Sequence, residues 1–400
     1  MNFFSKRLLR FKPSITVQIS QKARDLTQQG KTIISLSSGE PDFNTPSEIK
    51  LAAIEAINKN FTKYTPVDGT NDLKQAIKNK FKLENKLQFD INQITVGVGG
   101  KHVIYNLFMS TLNLDDEVII PSPYWVSYPD IVSLCNGKPI IIDSDINSKF
   151  KFSFKDLEKK ISKKTKWFIL NSPSNPTGVV YQEEELKEIS NILMKHEHVN
   201  ILSDDIYEYI IYNNQKFSNI LNVEPNLYDR VFIVNGVSKA FSMTGWRIGY
   251  GVGSPEIIKS ISKIQSQSTT NPTSISQVAA TCALNSDKFY IQEWVSEFEK
   301  RRNFICSALN EIEGIKCIIP DGAFYIFASC EKVIGKKTPE NYIIKNDIDF
   351  SNYLLEFAGV AVVPGSAFGV SPYFRISYAT SLKLLEIACK QIKSALSMLI

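Results

Sequence analysis

The chain has 400 residues, 43% of them hydrophobic and 22% charged, enough for one large core and a second, smaller one. Its 46 basic and 41 acidic side chains leave a formal charge of +5, spread along the chain, with no zinc-finger spacing, RNP run or long basic block to point to nucleic acid. Ordinary glycine and proline content excludes collagen-like and low-complexity chains, and no uncharged apolar run approaches the ~20 residues of a membrane helix.

The N-terminal MNFFSKRLLRFKPS lacks the continuous apolar stretch and small-residue cleavage site of a signal peptide. Residues 15–30 read as a helix ending at Gly30, TIISLSSGEPDF as an apolar run into a turn, and 47–59 as a helix. KYTPVDGTNDLKQAIKNKF is a loop followed by a helix. ITVGVGGKHVIYNLFMSTL reads as strand, glycine turn and helix, and DEVIIPSPYWVSYPDIVSLCNG as strand, aromatic loop and helix. KPIIID and TKWFILNSP continue the strand pattern. EELKEISNILMKH is a helix, VNILSDDIYEYI a strand with a polar end, DRVFIVNGVSKAF a strand and turn, and RIGYGVGSPEIIKSISKIQSQ a strand and helix. This alternation through about 90–270 predicts a parallel-type sheet with helices on its faces. After a charged helical region near 285–312, IKCIIPDGAFYIFAS, AGVAVVPGSAF and YFRISYA predict β segments, and 381–399 a last helix.

The six cysteines are widely spaced without a CxxC, which suggests reduced thiols and a cytoplasmic protein. His102, His196 and His198 make no ligand pattern, so no metal site is expected.

SPYW, NSPSNPTG, SDDIY and NGVSK each follow a strand-like run, and loops at strand ends build ligand sites in parallel sheets. Lys239 lies in NGVSKAF among small neighbours, with room for a ring beside a Schiff-base amine. Arg247 precedes the apolar IGYGVG, where a buried charge would need a partner such as phosphate. A lysine amine, a phosphate-binding arginine and aromatic loops together suit pyridoxal 5′-phosphate.

The stretch GVSKAFSMTGWRIG resembles the lysine-attachment pattern of class I aminotransferases. The likeness covers essentially the whole chain and is greatest to the bacterial branch of aspartate and aspartate/prephenate aminotransferases. It implies the pyridoxal-phosphate-dependent aminotransferase fold (fold type I, α/β). A large domain, 48–290, would carry a mostly parallel seven-stranded sheet. A smaller α+β domain would join 1–47 to 291–400.

For the cofactor, the resemblance implies Lys239 as the Schiff-base lysine and proton shuttle. Asp204 would face the pyridine nitrogen; Asp205 is the competing neighbour. Asn175 and Tyr207 would reach the ring oxygen, Trp125 would stack on the ring, and Arg247, Gly99, Gly100 and Lys101 would hold the phosphate. Tyr124 and Tyr128 read as packing residues. Tyr64 would reach the phosphate of a neighbouring subunit in a homodimer with shared active sites.

For amino-acid and 2-oxo-acid substrates, the resemblance implies Arg375 on the α-carboxylate, with Gly39, Trp125 and Asn175 beside it. Lys101, at the same glycine turn, would meet a distal carboxylate. Lys12, Ser14 and Thr16 would recognise the side chain. The implied activity transfers the amino group of L-aspartate to 2-oxoglutarate, giving oxaloacetate and L-glutamate, and also converts prephenate to arogenate. A broader aromatic aminotransferase and a pyridoxal-phosphate-dependent β-lyase are the alternatives. No nucleic-acid or membrane partner is expected.

Overall fold

The computed structural model describes residues 3–11 and 15–400. Its strands in chain order are β1 (Ile34–Ser35), β2 (Ile94–Gly97), β3 (Glu117–Pro121), β4 (Lys138–Ile142), β5 (Thr165–Asn171), β6 (Asn200–Asp204), β7 (Val231–Gly236), β8 (Gly249–Val252), β9 (Tyr325–Ser329), β10 (Val360–Ala361), β11 (Val363–Pro364) and β12 (Tyr373–Ser377). Among the described residues these make three sheets. The largest has seven strands in the order β2-β8-β7-β6-β5-β3-β4. β3 to β7 run parallel, and β8 is antiparallel to both its neighbours.

The helices α1 (Ile15–Gln28), α2 (Ser47–Asn58), α3 (Asn71–Lys80), α4 (Gly100–Thr111) and α5 (Ser127–Leu134) come from the first third of the chain. One sheet face packs on α2, α3 and the helices Glu183–Met194 and Ser274–Asn285. The other packs on α4, α5 and the helix Pro255–Ser266. Cover on both faces explains why VIIP, WFIL and VFIV are continuous apolar runs rather than alternating ones. β3, β5, β6 and β7 end along one edge, and the loops beyond them carry Trp125, Asn175, Tyr207 and Lys239.

A second core gathers β9 and β12 with the helices Phe289–Asn310, Asp347–Phe357 and Leu382–Ser397. It also draws in Tyr207, Ile210 and Tyr212, just past β6. Ala323 N–H donates to Ile210 O at 2.9 Å, and Tyr212 N–H to Asp321 O at 2.9 Å. The segment after Asp204 is thus shared by both cores.

Four α-helices were not anticipated from the sequence: Phe154–Lys160, the single turn Ile220–Val223, Ser274–Asn285 and Asp347–Phe357. SISQVAATCALN has small residues on nearly every side, so it shows no clear apolar stripe. It is held instead by the fully buried Gln277, which accepts from Thr70 N–H at 2.8 Å and donates to Thr65 Oγ1 at 3.0 Å. Among the described residues no helix is long and apolar enough to cross a membrane.

Candidate active site

A cavity of about 270 Å³ opens at the strand ends, close to the ~300 Å³ lower bound of small-molecule clefts. Lys239, Asp204, Tyr207 and Asn175 line it from the large sheet, and Arg375 and Gly39 from the side of the second core. Trp125, Lys101, Gly100 and Arg247 close another wall, and Thr16 of α1 lines it with a buried Oγ1 that has no hydrogen-bond partner.

Lys239 Nζ donates to Gly39 O at 2.5 Å. Burial and then the Arg375 guanidinium push its pKa down to about 8; Arg247 adds to the fall, while Glu40 and Asp204 oppose it. An amine so placed is neutral in roughly a tenth of molecules at pH 7, far more often than a free lysine, and the neutral form is the nucleophile. Asp204 behaves oppositely. Burial pushes its carboxyl up to about 6, although hydrogen bonds from Tyr128 and Ile206 hold it down.

Asp205, the competing carboxylate, takes hydrogen bonds from Ser203 and Asn219 at 2.7 and 2.5 Å. It does not line the cavity, because alternate side chains of a strand point to opposite faces.

Arg375 is 3% exposed. It donates to Asn175 Oδ1 at 2.9 Å and Ser37 O at 2.6 Å, and its guanidinium lies 4.5 Å from the Tyr325 ring centroid. Among the described residues no carboxylate forms an ion pair with it, and its Nε has no acceptor. A buried cation left short of an anion is suited to receiving one. Also lining the cavity, Lys101 Nζ stands 5.0 Å over the Trp125 ring. Burial and the Arg247 charge lower its pKa, and Asp130 opposes them.

Arg247 departs from its expected buried position. It is exposed, with φ of +56°, at the end of a single 3-10 turn (Thr244–Trp246). It donates to Thr244 O at 2.8 Å and Val98 O at 3.3 Å. Only from Ile248 does the chain enter the sheet interior, so the arginine leaves at the strand end. Gly99, with φ of +86°, lies directly behind it, and a Cβ there would run into the guanidinium. Gly100 and Lys101 open α4, where first-turn N–H groups have no carbonyl of their own helix to bond.

Tyr64 is not brought to the cavity of its own chain; it is 90% exposed. Lys12 and Ser14 lie outside the described residues. The packing role read for Tyr128 needs correction. Its hydroxyl donates to Asp204 Oδ2 at 2.6 Å, and it lines the cavity. It sits at the start of α5, three residues after Trp125, and its N–H donates to Trp125 O at 3.0 Å. Tyr325 was not singled out at all. It lines the cavity and exchanges a hydrogen bond with Tyr207 at 2.7 Å, which no local pattern across 118 residues announces.

The profile described as aminotransferase class I and II matches residues 31–392. The chain belongs to that family. This aminotransferase is 53% identical over 395 residues to a probable aspartate/prephenate aminotransferase of Rickettsia felis, covering 99% of this chain and 97% of the relative. It is 48% identical over 379 residues to an aspartate aminotransferase of Rhizobium meliloti, covering 95% and 92%. The crystal structure of aspartate aminotransferase from Rhizobium meliloti superposes with a TM-score of 0.96 at 46% identity, over 99% of both chains. That of Thermus thermophilus aspartate aminotransferase with maleate gives 0.92 at 36%, over 99% and 100%. The fold is therefore that of these aspartate aminotransferases, as the sequence resemblance implied.

Proposed function

We propose that this aminotransferase moves the amino group of L-aspartate to 2-oxoglutarate, giving oxaloacetate and L-glutamate, and also aminates prephenate to arogenate. The names of the relatives support this reading. The observation that carries it is that two cations line one cavity: the unpaired Arg375 beside Lys239, and Lys101 over the Trp125 ring. Two cations suit a substrate with two carboxylates, and aspartate, 2-oxoglutarate and prephenate all have two.

Pyridoxal phosphate fits the residues present. A low-pKa amine and a buried carboxylate face one cavity. An exposed arginine beside the start of a twelve-residue helix suits a phosphate. When bound, the cofactor supplies an aldehyde that accepts the amino group and a ring that takes up the electrons of the broken Cα–H bond. In this reading Lys239 Nζ holds the cofactor covalently and then carries the proton from substrate Cα. Asp204 keeps a proton on the ring nitrogen, with Tyr128 fixing its orientation. Asn175 and Tyr207 donate to the ring oxygen, and Trp125 covers the ring. Arg247 with the Gly99–Gly100 turn and Lys101 N–H holds the phosphate. Arg375, Gly39 and Asn175 take the α-carboxylate, and Lys101 Nζ the distal one. Thr16, with Ser14 and Lys12, contacts the substrate side chain.

We assign residues 48–290 to a cofactor domain, and 1–47 with 291–400 to a smaller domain that closes over substrate and excludes water. The enzyme works as a homodimer in which Tyr64 serves the partner's phosphate. The exposed Leu51, Ile54, Ile57 and Phe61 on and after α2 support a covered face there. The unbridged cysteines support a cytoplasmic setting.

Lys101→Ala tests the substrate assignment. It should lower kcat/KM for aspartate by about 100-fold, the worth of a charge-assisted contact near 3 kcal/mol. Phenylalanine and alanine should change by less than about threefold. Equal losses for all donors would remove Lys101 from distal-carboxylate recognition.

A further inference from the structure

Outside the cavity, four buried polar side chains close one network. Lys80, in the last turn of α3, is 2% exposed and forms an ion pair with Glu208, itself 7% exposed. Lys80 Nζ also donates to Asn85 Oδ1 at 2.6 Å, and Asn85 Nδ2 donates to Glu208 Oε2 at 2.8 Å. Asn235 Nδ2 donates to Glu208 Oε1 at 2.7 Å, and Asn235 Oδ1 accepts from Gly236 N–H at 2.7 Å. Both oxygens of the carboxylate are therefore engaged, by groups from three separate elements.

Burying this pair is poor evidence for stabilisation, since stripping water from two charges offsets their attraction. Apolar side chains of equal volume would hold α3 against the sheet as well. What a fully bonded carboxylate adds is direction, because its partners must sit at fixed angles and distances.

The elements it joins are those of the reaction. Glu208 stands four residues after Asp204, and Asn235 four before Lys239. The backbone ladder holds β6 against β7 as far as Asp204 and Val234, and Asp205 N–H still donates to Val234 O at 3.0 Å. Past that point β6 ends, while Asn235 and Gly236 stay in the sheet, paired with β8 alone. The Glu208–Asn235 bond ties the two segments together again between the ladder and Lys239. On the other side of Glu208, Tyr207, Ile210 and Tyr212 belong to the second core. The segment carrying Asp204 is thereby anchored from two directions.

We propose that the Lys80–Asn85–Glu208–Asn235 network is a positioning device that sets the separation between the Asp204 carboxylate and the Lys239 amine. Glu208 and Asn235 are positioning residues, and neither lines the cavity. The inference rests on the cofactor-binding roles given above to Asp204 and Lys239.

Two variants of the cofactor-loaded enzyme test it. Asn235→Ala cuts the link to β7 and leaves the ion pair intact. The double variant K80M/E208Q removes both charges of the pair together, so neither is left buried without the other. For each, kcat and KM for aspartate, the pH midpoint of the absorbance band of the Lys239-bound cofactor, and the folded fraction by circular dichroism are measured.

Each variant should remain folded, lose about tenfold in kcat with KM changed less than about threefold, as small misplacements do, and move the band midpoint by about half a pH unit or more. An unmoved midpoint with unchanged kcat in Asn235→Ala overturns the proposal. So does a loss in K80M/E208Q that only follows the folded fraction. An unmodified enzyme showing no such band would instead overturn the cofactor reading on which the proposal stands.

Discussion

Asp204 is buried beside Tyr128 and Lys239, and burial raises its carboxyl to about 6. In the unfolded chain the same group titrates near 3.8. Between those values the folded protein holds a proton that the unfolded chain releases, so stability falls as pH rises through the window. Above about pH 6 the full cost persists, on the order of 3 kcal/mol at ~1.4 kcal/mol per tenfold change in acidity. Asp204→Asn keeps the shape and an acceptor for Tyr128 without the charge. The cofactor-free variant should therefore be more stable than the unmodified protein at pH 8, by about 1–3 kcal/mol, and lose that advantage near pH 4. Transamination should fall by about 100-fold or more, since the ring nitrogen loses its counter-ion. Urea denaturation at the two pH values checks the first expectation. A variant less stable at pH 8 would mean that the carboxylate is better solvated than its burial implies.

Among the elements, the strands were the most legible. Each parallel strand is an apolar run ending in a polar loop, and burial on both faces leaves no other way to write one. The candidate site residues at or just past a strand end, Asp204 and then Lys239, Asn175 and Trp125, were legible for the same reason. Helices without a stripe were not legible, as Ser274–Asn285 shows, because their partners are distant in sequence and small. Tyr325 and Glu208 were missed likewise: their roles depend on Tyr207, Lys80 and Asn235, which sequence spacing does not bring near. The glycine turn before α4 is a local device that can be tested directly. Gly99 holds φ at +86°, and a Cβ there would meet the Arg247 guanidinium. Gly99→Ala should strain the turn by about 1–3 kcal/mol and displace Arg247. Pyridoxal phosphate affinity, measured by equilibrium dialysis, should then weaken by about 10- to 100-fold. Unchanged affinity would remove this turn from phosphate binding.

At the scale of the whole molecule, two cores meet at one cavity, and the proposed homodimer adds a residue to each site. Tyr64 is exposed in its own chain, so its proposed work is done in trans. Mixed dimers of Lys239→Ala and Tyr64→Ala chains would contain one site with both residues native. Random reassortment should give about a quarter of unmodified activity from two feeble parents; activity no greater than the average of the parents would argue for independent sites. The central claim, that the amine of Lys239 holds the cofactor covalently, has a more direct test. The pyridoxal-phosphate-loaded protein is reduced with borohydride at pH 9, above the value of about 8 to which burial lowers that amine, then digested and read by mass spectrometry. The account predicts a stoichiometric phosphopyridoxyl group on Lys239. Label on other lysines, or none on this one, would contradict it.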